Sequence, residues 1–322
     1  MVFKSKMKFI DATLREGTQA PGVYFSNQQV VSIAEKLAEA GTDMLEVGHP
    51  LVSENAMLHV RSVVKLNLGL PILSHARAHK ADIAAVADSG ADWVGIFLGV
   101  NELTEQVRLQ GYNYESLLER VVTSIEYARK LGLKIRYTIE DASRTSLDRL
   151  LKTYSVAVSE GVERICFADS VGILEPKKTF QLMNLLRQKF PTVELEAHFH
   201  NDRGLSIANA IEAHDCGVDW ISVSVNGLGE RCGITDHGVL AINLHHRGDR
   251  EISATQGSVL KELSEMIEEH AKQPLGKSSP IFGRYAFCHT ARLHVKAMKK
   301  NPKSYQWIDP VLIGQKCQLE DK

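Results

Sequence analysis

Two kinds of apolar pattern take turns along the chain. KFIDATL (8–14) is a short apolar run with β-branched residues, and NQQVVSIAEKLAEAG (27–41) spaces its apolar residues three and four apart and stops at a glycine. The first reads as a strand and the second as an amphipathic helix. The same pair then recurs: 43–48 with 54–66, 70–76 with 79–90, 92–100 with 114–132, and 134–140 with 146–161. It continues as 164–170 with 176–190, 193–200 with 205–217, and 219–227 with roughly 236–246. Strands that are apolar on both faces and alternate with helices form a parallel sheet covered on both sides. Eight such cycles predict a (β/α)8, or TIM, barrel over residues 1–275. A doubly wound open sheet is the alternative, but the turn REGTQAPG after the first strand holds no GxGxxG fingerprint. Another amphipathic helix is predicted at 257–272. A C-terminal extension, 276–322, carries one more, His289 to Lys300, and is too small for a core of its own.

Composition narrows the function. The chain has 322 residues, 44% hydrophobic and 24% charged, with a formal charge of −1. No basic patch points to nucleic acid or to an anionic membrane. The longest apolar runs fall short of a bilayer span, and MVFKSKMKF is not a secretory leader. Five cysteines (Cys166, Cys216, Cys232, Cys288, Cys317) form no CxxC pair, which fits reduced thiols in a cytoplasmic enzyme.

A barrel of this kind does its chemistry at the C-terminal ends of its strands. Those ends carry Arg15 and Glu16, Glu46 and His49, His75, then Arg136, Thr138 and Glu140, then Asp169 and Ser170, His198 and His200, and Asn226. His198 and His200, two apart on a strand, point the same way. Glu16 is the natural third ligand, because strands one and seven both flank strand eight in a closed barrel. Two imidazoles and a carboxylate suit divalent Zn, Mn, Mg, Fe or Co, and three protein ligands leave positions open for a substrate. Plainer readings stay open: two core histidines, a rim ion pair for Arg15, a Glu140–Arg144 pair, a helix cap at His289. Asp11 reads as structural.

DATLREGTQ (11–19), HFHNDRGLSIANA (198–210), NGLGERCGIT (226–235) and the stretch 280–310 resemble the DRE-TIM metallolyase superfamily. Within it they are similar to the Claisen-condensing branch of homocitrate, isopropylmalate and citramalate synthases and Re-type citrate synthase. The resemblance implies an acyltransferase that joins acetyl-CoA to a 2-oxo acid. Glu16, His198 and His200 would hold the metal, and Arg15 would serve catalysis by donating to the keto oxygen. Glu140, His289 and Tyr305 would serve the base catalysis that forms the acetyl-CoA enolate. In this family the tail reaches the active site of a neighbouring subunit, so a homodimer follows.

Arg136 carries the substrate question. With Thr138 on the same strand face, and with Ser170 and His75 nearby, it suits a second carboxylate or another anionic tail. IRYTIED and GERCGIT resemble the homocitrate synthase pattern, which favours 2-oxoglutarate. Ser170 in place of threonine, and APGVYFS after the first motif, leave room for oxaloacetate or a phosphonate-bearing 2-oxo acid. A lyase like hydroxymethylglutaryl-CoA lyase is a further alternative, but Arg231 stands where that family carries a cysteine in its GLGGC loop. Feedback control through a C-terminal regulatory domain is not expected.

Overall fold

The β-strands are buried on both faces because each lies between a packed barrel interior and a ring of helices. The computed structural model describes residues 7–320. Eight parallel strands close the barrel: β1 (Lys8–Asp11), β2 (Met44–Glu46), β3 (Ile72–Arg77), β4 (Trp93–Gly99), β5 (Lys134–Glu140), β6 (Arg164–Asp169), β7 (Glu194–Phe199) and β8 (Trp220–Val223). Strand β8 returns to β1 in the register Lys8↔Trp220 through Asp11↔Val223. The helices outside are α1 (Asn27–Glu39), α2 (Glu54–Lys65), α3 (Lys80–Ser89), α4 (Tyr114–Lys130), α5 (Leu147–Ser159), α6 (Pro176–Lys189), α7 (Ser206–Asp215), α8 (His237–Arg247) and α9 (Ala254–Ala271). Caps place several helix starts. Ser26, Asn113 and Ser253 each close a capping box on α1, α4 and α9, an arrangement worth about 1 kcal/mol per cap.

Three strands are shorter than their apolar runs, for local reasons. After β1 the chain curls at once, and the Ala12 carbonyl accepts from the N–H groups of Arg15 (3.0 Å), Glu16 (2.7 Å) and Gly17 (3.2 Å). Arg15 and Glu16 therefore stand on a turn above the strand rather than on it. After β2, Gly48 turns with φ +57°, and after β8, Asn226 turns with φ 57°. These reversals carry polar residues over the barrel mouth.

The other end is shut. Trp93 and Trp220 pack there with Ile10, Met44 and Leu73. The fully buried guanidinium of Arg164 lies 3.7 Å from the Trp220 ring and 4.8 Å from the Trp93 ring, a cation–π sandwich.

The extension holds a two-residue strand, β9 (Cys288–His289), paired with β10 (Gln318–Leu319), and a helix, α10 (Arg292–Lys300). The predicted helix start at His289 is thus corrected to Arg292, because His289 is drawn into the β9–β10 pair and Ala291 supplies no side-chain cap. The turn at Pro310–Ile313 packs on α9 at Gly257, where an added Cβ would lie 1.9 Å from the Leu312 carbonyl.

Candidate active site

At the mouth, the turn after β1 and the end of β7 meet across β8. Ligand atoms of Glu16, His198 and His200 all lie within 4.8 Å of one another, and all three residues are buried. The imidazole centroids are 5.0 Å apart, and Glu16 Oε1 is 3.9 Å from His200 Nε2. Burial, then the neighbouring His200, pushes the His198 pKa down to about 3. Burial raises the Glu16 carboxyl, but the positive charge around it, Arg15 foremost, outweighs that and holds it below its usual value. Neutral imidazoles and an ionised carboxylate are the protonation states a divalent cation requires. His200 Nδ1 is buried without a hydrogen-bond partner. The donor set, its spacing and its protonation therefore fit a divalent metal.

Beneath the mouth lies a layer of buried charge. Glu46 Oε2 accepts from Arg15 Nη2 at 3.0 Å, and its Oε1 accepts from Arg136 Nη2 at 2.8 Å. Arg15 Nη1 donates to Glu16 Oε2. Arg136 Nη1 donates to Glu196 Oε1 (3.0 Å), which also accepts from Ser222 Oγ (2.9 Å), while Glu196 Oε2 accepts from Arg164 Nη1 (3.1 Å). An alternating chain of acids and arginines thus runs from Glu16 to the tryptophan plug. Burial alone would raise the Glu46 carboxyl, yet Arg136 and Arg15 bring it well below the usual range.

A cavity of about 840 Å³ opens above this layer. Arg15, His75, Arg136, Thr138 and Ser170 line it, as do the three candidate metal ligands. Arg15 Nε, Arg136 Nε and Thr138 Oγ1 are buried without partners. His75 stacks on Phe97 at 4.5 Å and keeps its Nε2 3.8 Å from Glu46. Ser170 Oγ accepts from the Asp141 N–H at 2.9 Å. Glu140 also lines the cavity and pairs with Arg108 at 2.5 Å. The alternative partner Arg144 instead grips Asp141 at 2.8 Å.

Some rim residues are turned away. Asn226 bonds Ser264 on α9 through both side-chain atoms, at 2.6 and 3.0 Å. Asp11 holds His237 at 2.8 Å and the Thr13 N–H at 2.8 Å, the structural role its position suggested. His289 and Tyr305 do not line this chain's cavity. His289 sits half-buried on β9 with Nε2 unpartnered, and Tyr305 stacks on His294 with centroids 3.9 Å apart. Four contributors were not singled out from the sequence: Glu196, Arg164, Ser222 and Arg108. Glu196 was within reach, since it stands two before His198 and must share its face. Arg231 turns at φ 57° to grip Asp202 (2.7 Å) and the Ser170 carbonyl (2.7 Å), which ties the loop after β8 to those after β6 and β7.

Buried histidines make stability depend on pH with a definite sign. His75, His198 and His200 all sit below their ordinary value of 6.5, with burial the largest cause of each shift. Below pH 6.5 the unfolded chain takes up protons that the native state refuses. Metal-free protein is therefore expected to lose stability from pH 6.5 downward, by roughly 1.4 kcal/mol per pH unit for each histidine still neutral in the fold. Urea midpoints at pH 7.5, 6.5 and 5.5 check this, and a flat profile would show that these imidazoles titrate freely.

The closed barrel, the two-histidine, one-carboxylate set at its C-terminal rim and the guanidinium-lined cavity define a barrel of the enzyme type whose mouth could hold a divalent cation. A family model described as HMGL-like matches residues 6–268. The chain is 38% identical over 315 residues to homocitrate synthase of Sulfurisphaera tokodaii, covering 96% of this chain and 68% of that one. It is 38% identical over 316 residues to homocitrate synthase of Saccharolobus solfataricus, with the same coverage. Among solved structures, hydroxymethylglutaryl-CoA lyase from Pseudomonas aeruginosa superposes with a TM-score of 0.73 at 20% identity, covering 86% of this chain and 96% of that one, a likeness of fold. The protein belongs to the HMGL-like family, and it is an enzyme of that family's condensing, transferase type.

Proposed function

We propose that the enzyme condenses acetyl-CoA with an anionic 2-oxo acid, 2-oxoglutarate being favoured. The observation that carries this reading is that Arg15 and Arg136, on opposite sides of the barrel, face one cavity with partnerless Nε–H groups. A short dianion satisfies both at once, one end beside the metal ligands and the other at Arg136. The homocitrate synthase relatives act in the same direction.

When bound by Glu16, His198 and His200, a divalent cation would supply Lewis-acid polarisation and a template for the 2-oxo acid. Arg15 lies beside that site and donates to the keto oxygen as it gains negative charge. Arg136 fixes the far end through its Nε–H, which is buried without a partner while its Nη groups hold Glu46 and Glu196, and Thr138 adds a hydroxyl. Glu140, at the cavity wall, accepts a proton from the thioester methyl. The resulting enolate carbon bonds to the keto carbon, the keto oxygen takes up a proton, and water then cleaves the thioester to release the CoA thiol. His289 and Tyr305 join this group from the tail of a second copy in a homodimer. Exposed Tyr24, Val52 and Val107 on the outer cavity wall give the acyl donor an apolar surface. No helix among the described residues is long and apolar enough to cross a membrane.

Thiol release with acetyl-CoA against a panel of 2-oxo acids tests the reading. Turnover is expected with 2-oxoglutarate, and kcat/KM with pyruvate or 2-oxoisovalerate is expected to be lower by about 100-fold or more, because those substrates leave the buried Arg136 Nε–H without an acceptor. Preference for oxaloacetate or phosphonopyruvate would keep the chemistry and change the substrate. Release with none of them would sink the proposal.

A further inference from the structure

The buried Glu46 has no part in the chemistry above, yet it touches both ends of the substrate site from below. It is wholly buried and does not line the cavity. Its two oxygens are divided between two guanidiniums, Arg15 at 3.0 Å and Arg136 at 2.8 Å. Arg15 follows β1 and Arg136 stands on β5, four strands away in an eight-stranded barrel. Glu46 on β2 is therefore a strut across the interior. Each guanidinium is also held on its far side, Arg15 by Glu16 and Arg136 by Glu196 at 3.0 Å. Arg136 has no slack toward β4 either, since a Cβ on Gly95 would lie 2.7 Å from its Nη2.

We propose that Glu46 is a positioning residue that sets the substrate length the cavity accepts, by fixing where Arg15 and Arg136 stand relative to each other. This rests on the reading of the cavity as a site for a 2-oxo dicarboxylate. A dianion that bridges the two arginines is measured against a distance that Glu46 holds, as its side-chain length and two-sided charge require. A carboxylate serves here because it offers one acceptor to each arginine and neutralises both. An amide of the same shape offers only one acceptor and so releases one arginine. A carboxylate one methylene shorter draws both guanidiniums toward the β2 wall and deepens the floor.

The experiment compares wild type, Glu46→Asp and Glu46→Gln on oxaloacetate, 2-oxoglutarate and 2-oxoadipate. It measures kcat and KM by CoA release, and Kd by calorimetry on Mn²⁺-loaded protein. Glu46→Asp is expected to shift the kcat/KM and Kd ratios toward the longest acid by about tenfold or more, the usual worth of one misfitted methylene. Glu46→Gln is expected to flatten the ratios among the three acids. Folded, metal-loaded variants that keep the wild-type ratios, with all three acids weakened equally, would overturn the inference. So would failure of both variants to fold with metal and ligand present, because Glu46 would then be a structural strut alone. If the wild type binds the acids but releases no CoA, the condensation reading fails, and the Kd ratios still decide the role of Glu46. If it binds none of them, both fail.

Discussion

Replacing His200 with alanine is expected to abolish turnover and to lower metal affinity by more than about 100-fold, beyond the loss from removing an outer partner of a metal ligand. Glu16 and His198 alone leave two donors, too few for a closed or catalytic site. The fold is expected to survive. The His200 backbone N–H bonds the Asp169 carbonyl at 3.3 Å whatever the side chain, and His200 Nδ1 makes no hydrogen bond that the substitution would break. The variant should unfold cooperatively near the wild-type midpoint. Metal content after dialysis and CoA release are the measurements, and a metal-free yet fully active variant would refute the site.

Glu196→Ala is expected to destabilise the protein by about 3–5 kcal/mol, the cost of leaving buried charge without its partner. Three donors converge on Glu196: Arg136 at 3.0 Å, Ser222 at 2.9 Å and Arg164 at 3.1 Å. Removing it leaves Arg136 with Glu46, and Arg164 with the half-buried Glu194. Neither guanidinium can lose its proton in compensation. Urea unfolding measures the loss, and a change below about 1 kcal/mol would mean that water enters the barrel interior and solvates both cations.

The barrel was readable because its signal repeats. Any one apolar run such as 43–48 is ambiguous, whereas eight alternations with helical stretches are not. The clustering of Glu16, His198 and His200 was readable because topology did what spacing alone cannot: His198 and His200 share a face, and closure of the sheet sets Glu16 beside them across β8. The charge layer was read only in part: Arg15, Glu46 and Arg136 were placed at the strand ends, but not their pairing. Glu196 and Arg164 lie in strands buried on both faces, where an inward charge looks like an irregularity unless its partner across the barrel is known. The Glu140–Arg144 pair, one of the plainer readings left open, does not form because a loop decides the partner. Asp141 adopts a left-handed conformation (φ 56°) and turns to Arg144, leaving Glu140 to Arg108 from the turn after β4. His289 was taken for a helix start because RLHVKAMKK follows it, whereas pairing with a strand some thirty residues further on is invisible to local pattern.

The tryptophan–arginine plug has a kinetic side. Closed at one end by Trp93, Arg164 and Trp220, the interior among the described residues opens at the mouth above Arg15 and Arg136. With the 2-oxo acid seated on that floor, as proposed, the acyl donor would lie above it and bar its exit. The 2-oxo acid is then expected to bind first, an order that would be set by the packing of side chains at the closed end.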